Sequence, residues 1–239
     1  MAQRYGILEL MEKTALITGA SRGIGRAIAE ELGRDHHVLV GGTNPDRVQE
    51  VVSALPSAEP FLADLGDADA VAAAWENTGL KTLEVLVHSA GLAWMRPVAE
   101  APLQEWREMF EINVFAVAEL TRLTLPALRA GSGHVLAINS GSGYRSRGGS
   151  ALYSGTKFAL RAFTDALREE ERGTVRVTSL HPGQVDTDMQ VALQASYGNT
   201  DYQGSRYISP EAVAKTARLA VDNEAASSLD ELSIRPVNP

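Results

Sequence analysis

The sequence predicts an α/β fold: a doubly wound parallel sheet of about seven strands, helices on both faces, in a single domain. Three observations carry that prediction. Short β-branched runs alternate with Ala-rich amphipathic stretches along most of the chain, the pattern of repeated β-α units. Several runs are apolar continuously rather than in alternation, as parallel strands covered on both faces are. No long linker, internal repeat or low-complexity tract divides the 239 residues.

The elements follow in order. A first strand at 14–18 (TALIT) leads through TGASRGIG into the helix pattern RAIAEELG. The second, at 37–41 (HVLVG), precedes TNPDRVQEVV. There Asn44 offers an N-cap, Pro45 the first helical position and Asp46 an acid near the positive helix end. A third strand at 60–63 (PFLA) is followed by a helix beginning at Asp67, and a fourth at 83–89 (LEVLVHS) by EAPLQEW, with Pro102 near a helix start. Helices over 112–129 and 151–170 flank a fifth strand at 133–140 (GHVLAINS). A sixth strand reads at 175–180 (VRVTSL) and a weak last one at 232–236 (LSIRP), with Ser209, Pro210 and Glu211 starting a helix between them. Ligands of such sheets bind beyond the C-terminal strand ends, so motifs there carry the functional weight.

Composition narrows the class. Hydrophobic residues at 44% and charged residues at 22% are ordinary for a soluble globular protein. A net charge of -8 argues against nucleic acid as the main partner. There is no cysteine, which excludes disulfides and thiolate metal sites and fits a reducing, cytoplasmic setting. The start, MAQRYGILELMEK, has no long apolar run and reads as neither signal peptide nor membrane anchor. Residues 1–12 are therefore read as an N-terminal extension and 13–239 as the domain. The histidines make no metal-ligand spacing, and no metal is expected.

The glycine turn is the first chemical signal. Gly19, Gly23 and Gly25, with Ser21, Arg22 and Ile24 among them, follow a strand and open a helix. Glycines there let a ligand's phosphates approach the backbone and the helix N-terminus. The plain alternative is a simple βα turn. No Lys-Ser/Thr follows the last glycine, which speaks against a P-loop nucleotidase. The spacing Gly-x-x-x-Gly-x-Gly, preceded by Thr, resembles the glycine motif of the short-chain dehydrogenase/reductase family. Later motifs of that family follow in order over nearly the whole chain. The resemblance implies a Rossmann fold and a nicotinamide cofactor.

The end of the second strand bears on which nicotinamide. An NAD site usually places Asp or Glu there, but this chain has Gly41 and Gly42. A 2′-phosphate would meet no carboxylate; Arg22 supplies charge and Thr43 and Asn44 hydrogen bonds. The resemblance implies a basic residue at the Arg22 position in NADP-preferring members, and often a second at the Thr43 position, which is missing here. NADP(H) is expected over NAD(H), although Arg22 and Arg47 also read as solvated surface residues. Asp64, in LADL, either caps the next helix or, as the resemblance implies, bonds the adenine ring beside Leu65. HSAG at 88–91 keeps only the last two residues of the family's Asn-Asn-Ala-Gly. Ala90 and Gly91 would lie against the cofactor ribose, while His88 and Ser89 depart from the pattern. HPGQVDTDM at 181–189 is a loop closing a strand. The resemblance matches its Pro182, Gly183 and Thr187 to a motif on the nicotinamide side, where backbone near Val185 also lies. His181 reads as structural.

Ser140 ends the fifth strand, Tyr153 stands in the next helix, and Lys157 follows one turn on. Four residues place both side chains on one face about 6 Å apart along the axis. The same Ser…Tyr-x-x-x-Lys spacing is the family's catalytic set, and Asn113 matches a fourth member that holds a relay water. Tyr153 and Lys157 would also touch the cofactor. Hydride transfer at a carbonyl or carbinol carbon needs a proton moved at the oxygen. A free phenol, with a pKa of about 10, is a poor base near neutrality. Bringing it to about 7 takes roughly 4 kcal/mol, which a fixed ammonium at about 4 Å comes near supplying. Lys157 is thus expected to lower the Tyr153 pKa, and Ser140 to donate to the substrate oxygen.

Residues 188–208 read as an irregular substrate lid. Met189, Tyr197, Tyr202 and Tyr207 line a pocket with Trp94, Met95 and Tyr144, or simply pack onto the body. Arg145 and Arg147 either meet an acidic substrate or face solvent. The helices over 112–129 and 151–170 are apolar over wide arcs and predict a homodimer or homotetramer. The partner expected is a small carbonyl or alcohol substrate, with no nucleic acid and no membrane. The alternative function is an NADP(H)-binding sensor on the same fold without turnover.

Overall fold

The computed structural model describes residues 13–224 and 226–237; the extension read at 1–12 lies outside them. A seven-stranded, wholly parallel sheet runs in the order β3-β2-β1-β4-β5-β6-β7. Its strands are β1 (Thr14–Ile17), β2 (His37–Gly42), β3 (Ala58–Leu62), β4 (Val85–His88), β5 (His134–Ile138), β6 (Arg176–Pro182) and β7 (Glu231–Ile234). The helices are α1 (Gly23–Leu32), α2 (Pro45–Ala54), α3 (Ala68–Thr78), α4 (Leu103–Phe110), α5 (Ala116–Ala130), α6 (Ala151–Glu170), α7 (Asp188–Ser196) and α8 (Pro210–Val221).

Strands β1, β4 and β5 are buried at every position, which explains why apolar residues follow one another in them without alternation. The edge strand β7 alternates exposed and half-buried residues, the source of its weak signal. Two apolar clusters sandwich the sheet. Ile28 and Leu32 of α1 and Val213 and Ala217 of α8 pack on one face; Val71 of α3, Leu120 and Leu128 of α5 and Leu167 of α6 pack on the other.

The expected caps form. Asn44 Oδ1 accepts from the Arg47 N–H at 3.0 Å, Asp67 Oδ1 from Asp69 and Ala70, and Ser209 Oγ from Ala212. Two stretches differ from expectation. Between α4 and α5, Glu111–Phe115 forms a π turn, so the helix read over 112–129 begins as a wider coil. The stretch at 188–208 opens with the helix α7, because Thr187 caps it by accepting from the Gln190 N–H at 3.3 Å. Chain reversal at β1, whose neighbours are β2 and β4, creates the switch point at which such sheets hold ligands.

Candidate active site

The glycine turn bridges β1 and α1 at that switch point. Gly19 has φ +64°, and a side chain there would stand 2.8 Å from the Ala90 Cα. Only glycine permits both the left-handed backbone and that approach. Thr18 Oγ1 fastens the two loops by accepting from the Ser89 and Ala90 N–H groups, each at 3.1 Å. A groove of about 550 Å³ opens here. Gly19, Ser21, Arg22, Gly23, Ile24, Gly25, Thr43, Asp64, Leu65, Ala90, Gly91 and Thr187 all line it. Arg26, Glu30, Met189 and Glu211 also line it, and the motif reading named none of them for the cofactor.

Some expected cofactor residues are placed otherwise. Asn44 Oδ1 accepts the capping bond, and Asn44 is not among the groove-lining residues. Asp67, not Asp64, caps α3. Asp64 accepts from the Gly66 N–H at 2.9 Å and keeps its place on the groove. Pro182 ends β6, and Gly183 donates to Ile234 of β7 at 2.8 Å. Val185 is buried in a bridge to Ile208. His88, where the family has Asn, turns away from the groove: its Nε2 meets Thr121 Oγ1 at 2.9 Å. Burial lowers its pKa to about 3, so it is neutral. A cradle in which a Cβ at Gly19 has no room and Arg22 stands exposed fits a dinucleotide pyrophosphate. A side chain at Gly42 would meet Val48 Cγ2 at 2.7 Å, so an acid there would require Val48 to shift.

The next strand ends bring the reactive side chains together. Ser140 follows β5, and Tyr153 and Lys157 lie in the first two turns of α6. Burial pushes the Tyr153 phenol up, while the neighbouring Ser140 draws it down. Lys157 is buried, with its pKa lowered to about 8 by desolvation. Its Nζ lies 5.8 Å from the Tyr153 ring centre and donates to the Ile138 carbonyl at 2.9 Å. The expected lowering of the phenol by Lys157 is therefore not what governs it here; desolvation outweighs a cation directed at a strand carbonyl. Asn113 sits on the π turn, 1% exposed. Its Nδ2 donates to the Leu92 carbonyl and to Thr156 Oγ1, and its Oδ1 accepts from the Leu92 N–H at 2.8 Å. That clamp joins the loop after β4 to α6.

The aromatic lid residues divide. Tyr202 and Tyr207 stack on each other at 4.8 Å, with the Tyr202 hydroxyl on Asp186. Tyr197 is exposed, and Met189 belongs to the groove. Trp94 and Met95 are half-buried, while Arg145 and Arg147 are exposed without a carboxylate partner among the described residues. Tyr144 turns toward His181 and Glu231.

A family model described as short chain dehydrogenase matches residues 13–198. The chain belongs to the short-chain dehydrogenase family. An uncharacterized oxidoreductase of Staphylococcus saprophyticus is 32% identical, over 97% of this chain and 100% of its own. A serine 3-dehydrogenase of Rhizobium radiobacter is 31% identical, over 95% of each chain. An alcohol dehydrogenase from the archaeon Thermococcus sibiricus, solved with 5-hydroxy-NADP, superposes with a TM-score of 0.87 at 28% identity, covering 95% of this chain and 97% of that one. The family assignment makes the chain an oxidoreductase. Ser140, Tyr153 and Lys157 are not among the residues that line the groove.

Proposed function

We propose that the protein is an NADP(H)-dependent oxidoreductase interconverting a small carbonyl compound and its alcohol, with Tyr153 as acid/base. The observation that carries this reading is the convergence of Ser140, Tyr153 and Lys157 beyond the end of β5, with Lys157 buried and its Nζ 5.8 Å from the Tyr153 ring centre. NADP(H), when bound, supplies or accepts the hydride; Gly19, Ser21, Arg22, Gly23, Ile24, Gly25, Thr43, Asp64, Leu65, Ala90, Gly91 and Thr187 would hold it. Ser140 donates to the substrate oxygen and stabilises the charge that develops there. In reduction, Tyr153 gives its proton to that oxygen, and a phenol held neutral by burial is the competent form. In oxidation it takes the proton back, and the Lys157 ammonium, near its own pKa, favours the phenolate. Asn113 Oδ1 keeps a lone pair beyond the Leu92 N–H, and we assign it the relay water. Pro182, Gly183 and Val185 shape the nicotinamide end.

The relative named for serine makes L-serine the first alcohol to test, beside a panel of aldehydes and ketones, with both NADP(H) and NAD(H), followed by nicotinamide absorbance. Tyr153→Phe is expected to lower kcat about 10²–10⁴-fold, the usual range for losing an acid/base, with NADPH affinity within about twofold. Retained turnover would refute the role of Tyr153. NADPH binding without turnover of any panel compound would favour the sensor alternative. We further propose a homo-oligomer, and a cytoplasmic setting supported by the absence of cysteine. Among the described residues, no helix is long and apolar enough to cross a membrane.

A further inference from the structure

We propose that His181 is a positioning residue for this chemistry, fixing Ser140 against Tyr153 from the end of β6. The inference rests on the catalytic reading of Ser140 and Tyr153 above.

His181 is 0% exposed, and its Nδ1 stands 3.0 Å from the Ser140 carbonyl oxygen. A carbonyl only accepts, so Nδ1 carries the proton in that bond. Nε2 is then a bare lone pair, buried with no hydrogen-bond partner among the described residues. Burial also lowers the pKa of this imidazole, consistent with a neutral ring. Burying an imidazole costs more than burying a leucine of similar size. The interaction that offsets that cost is the bond to Ser140, which space-filling alone does not require.

The imidazole is itself held. The Tyr144 ring lies 4.2 Å from it, centre to centre, and the Tyr144 hydroxyl donates to Glu231 at 2.9 Å. Arg161 donates to the same carboxylate at 3.1 Å and places its guanidinium 4.5 Å from the centre of the Tyr144 ring. Arg161 follows Tyr153 and Lys157 at successive four-residue steps on α6, so all three share a face. The circuit therefore runs from Ser140 through His181, Tyr144, Glu231 and Arg161 back to the helix that carries Tyr153. Arg235 completes it by donating to the His181 carbonyl. Ser140 and Tyr153 come from separate elements, and this circuit is what sets their spacing.

The test compares His181→Leu, which removes the donor, with His181→Asn, whose Nδ2 occupies the place of Nδ1. With NADPH and p-nitrobenzaldehyde, His181→Leu should lower kcat about tenfold or more, as small misplacements of reacting groups do, with NADPH affinity within about twofold. His181→Asn should recover kcat to within about threefold of the parent. Combined with Ser140→Ala, His181→Leu should cost nothing further, since it acts through Ser140. Full activity of His181→Leu, no recovery in His181→Asn, or multiplicative losses in the double variant would each overturn the role. The tautomer needs no substrate: NMR of protein with isotope-labelled histidine should find His181 protonated on Nδ1, and protonation on Nε2 would overturn it. Tyr153→Phe measured alongside separates the two readings. If it keeps full turnover, the catalytic set falls; if it is dead while His181→Leu is fully active, only the role of His181 falls.

Discussion

Arg22 has two claimants. Its guanidinium lies 3.8 Å from Asp188 across the groove mouth, with the side chains 64% and 78% exposed. Such a pair is worth little in water, so a phosphate bound between them would take the arginine over. Arg22→Ala is expected to raise the KM for NADPH about tenfold, the loss of one charge-assisted contact, and to leave the KM for NADH within about twofold. Thr43→Arg should move the NADPH value the other way. Steady-state kinetics with both cofactors decide it: equal effects on the two would mean that Arg22 does not read the 2′-phosphate. Residue identities at this site were legible because the motifs are short and ordered along the chain. Residue partners were not. Lys157 meets Ile138, and His181 meets Ser140, between separate elements 19 and 41 residues apart in sequence, and no spacing rule reports such contacts.

Elements were legible where their signals are local. The caps at Asn44, Asp67 and Ser209 each act within three residues, so sequence alone reveals them. The π turn at Glu111–Phe115 was not legible, because its extra residue leaves the apolar pattern almost unchanged while re-aiming Asn113. Ser154, Gly155 and Thr156, between Tyr153 and Lys157, serve helix packing: Ser154 bonds Ser150, Thr156 accepts from Asn113, and Gly155 faces Phe110 and Trp106. That same side of α4, α5 and α6 bears on assembly. Leu103, Phe115 and Phe158 are 63%, 54% and 44% exposed, beside the Trp106, Phe110 and Phe115 ring series. Light scattering at micromolar concentration should return a dimer or tetramer mass, and Phe115→Glu with Phe158→Glu should reduce it. A monomeric mass for the parent protein would remove the proposed oligomer.

Across the whole molecule, stability should depend on pH through histidines that lie inside the sheet. His88 ends β4 and His134 begins β5, neighbouring strands, and both are nearly fully buried. Each donates from Nε2 to a threonine, Thr121 or Thr178, and burial holds each pKa at about 3 against 6.5 when unperturbed. Between those values the unfolded chain binds more protons than the folded one, so unfolding becomes easier as pH falls. The contribution is complete above about pH 6.5 and is lost progressively below it. Near pH 5 each histidine costs roughly 2 kcal/mol at about 1.4 kcal/mol per unit, so the pair removes about 4 kcal/mol from a total that is usually about 5–15 kcal/mol. Asp35 works in the same direction but later: its bonds to Arg218 hold its carboxyl far below the usual value of 3.8, so its share is lost only in stronger acid. Urea midpoints should therefore fall steeply between about pH 6.5 and about pH 5, before carboxylates begin to protonate. His134→Gln, which keeps a donor for Thr178 but does not titrate, should make that slope shallower, with His88 and His181 supplying the rest. A midpoint that stays flat over this window would mean that the two rings gain protons without unfolding, and that the strand ends carrying the site open more easily than their burial implies.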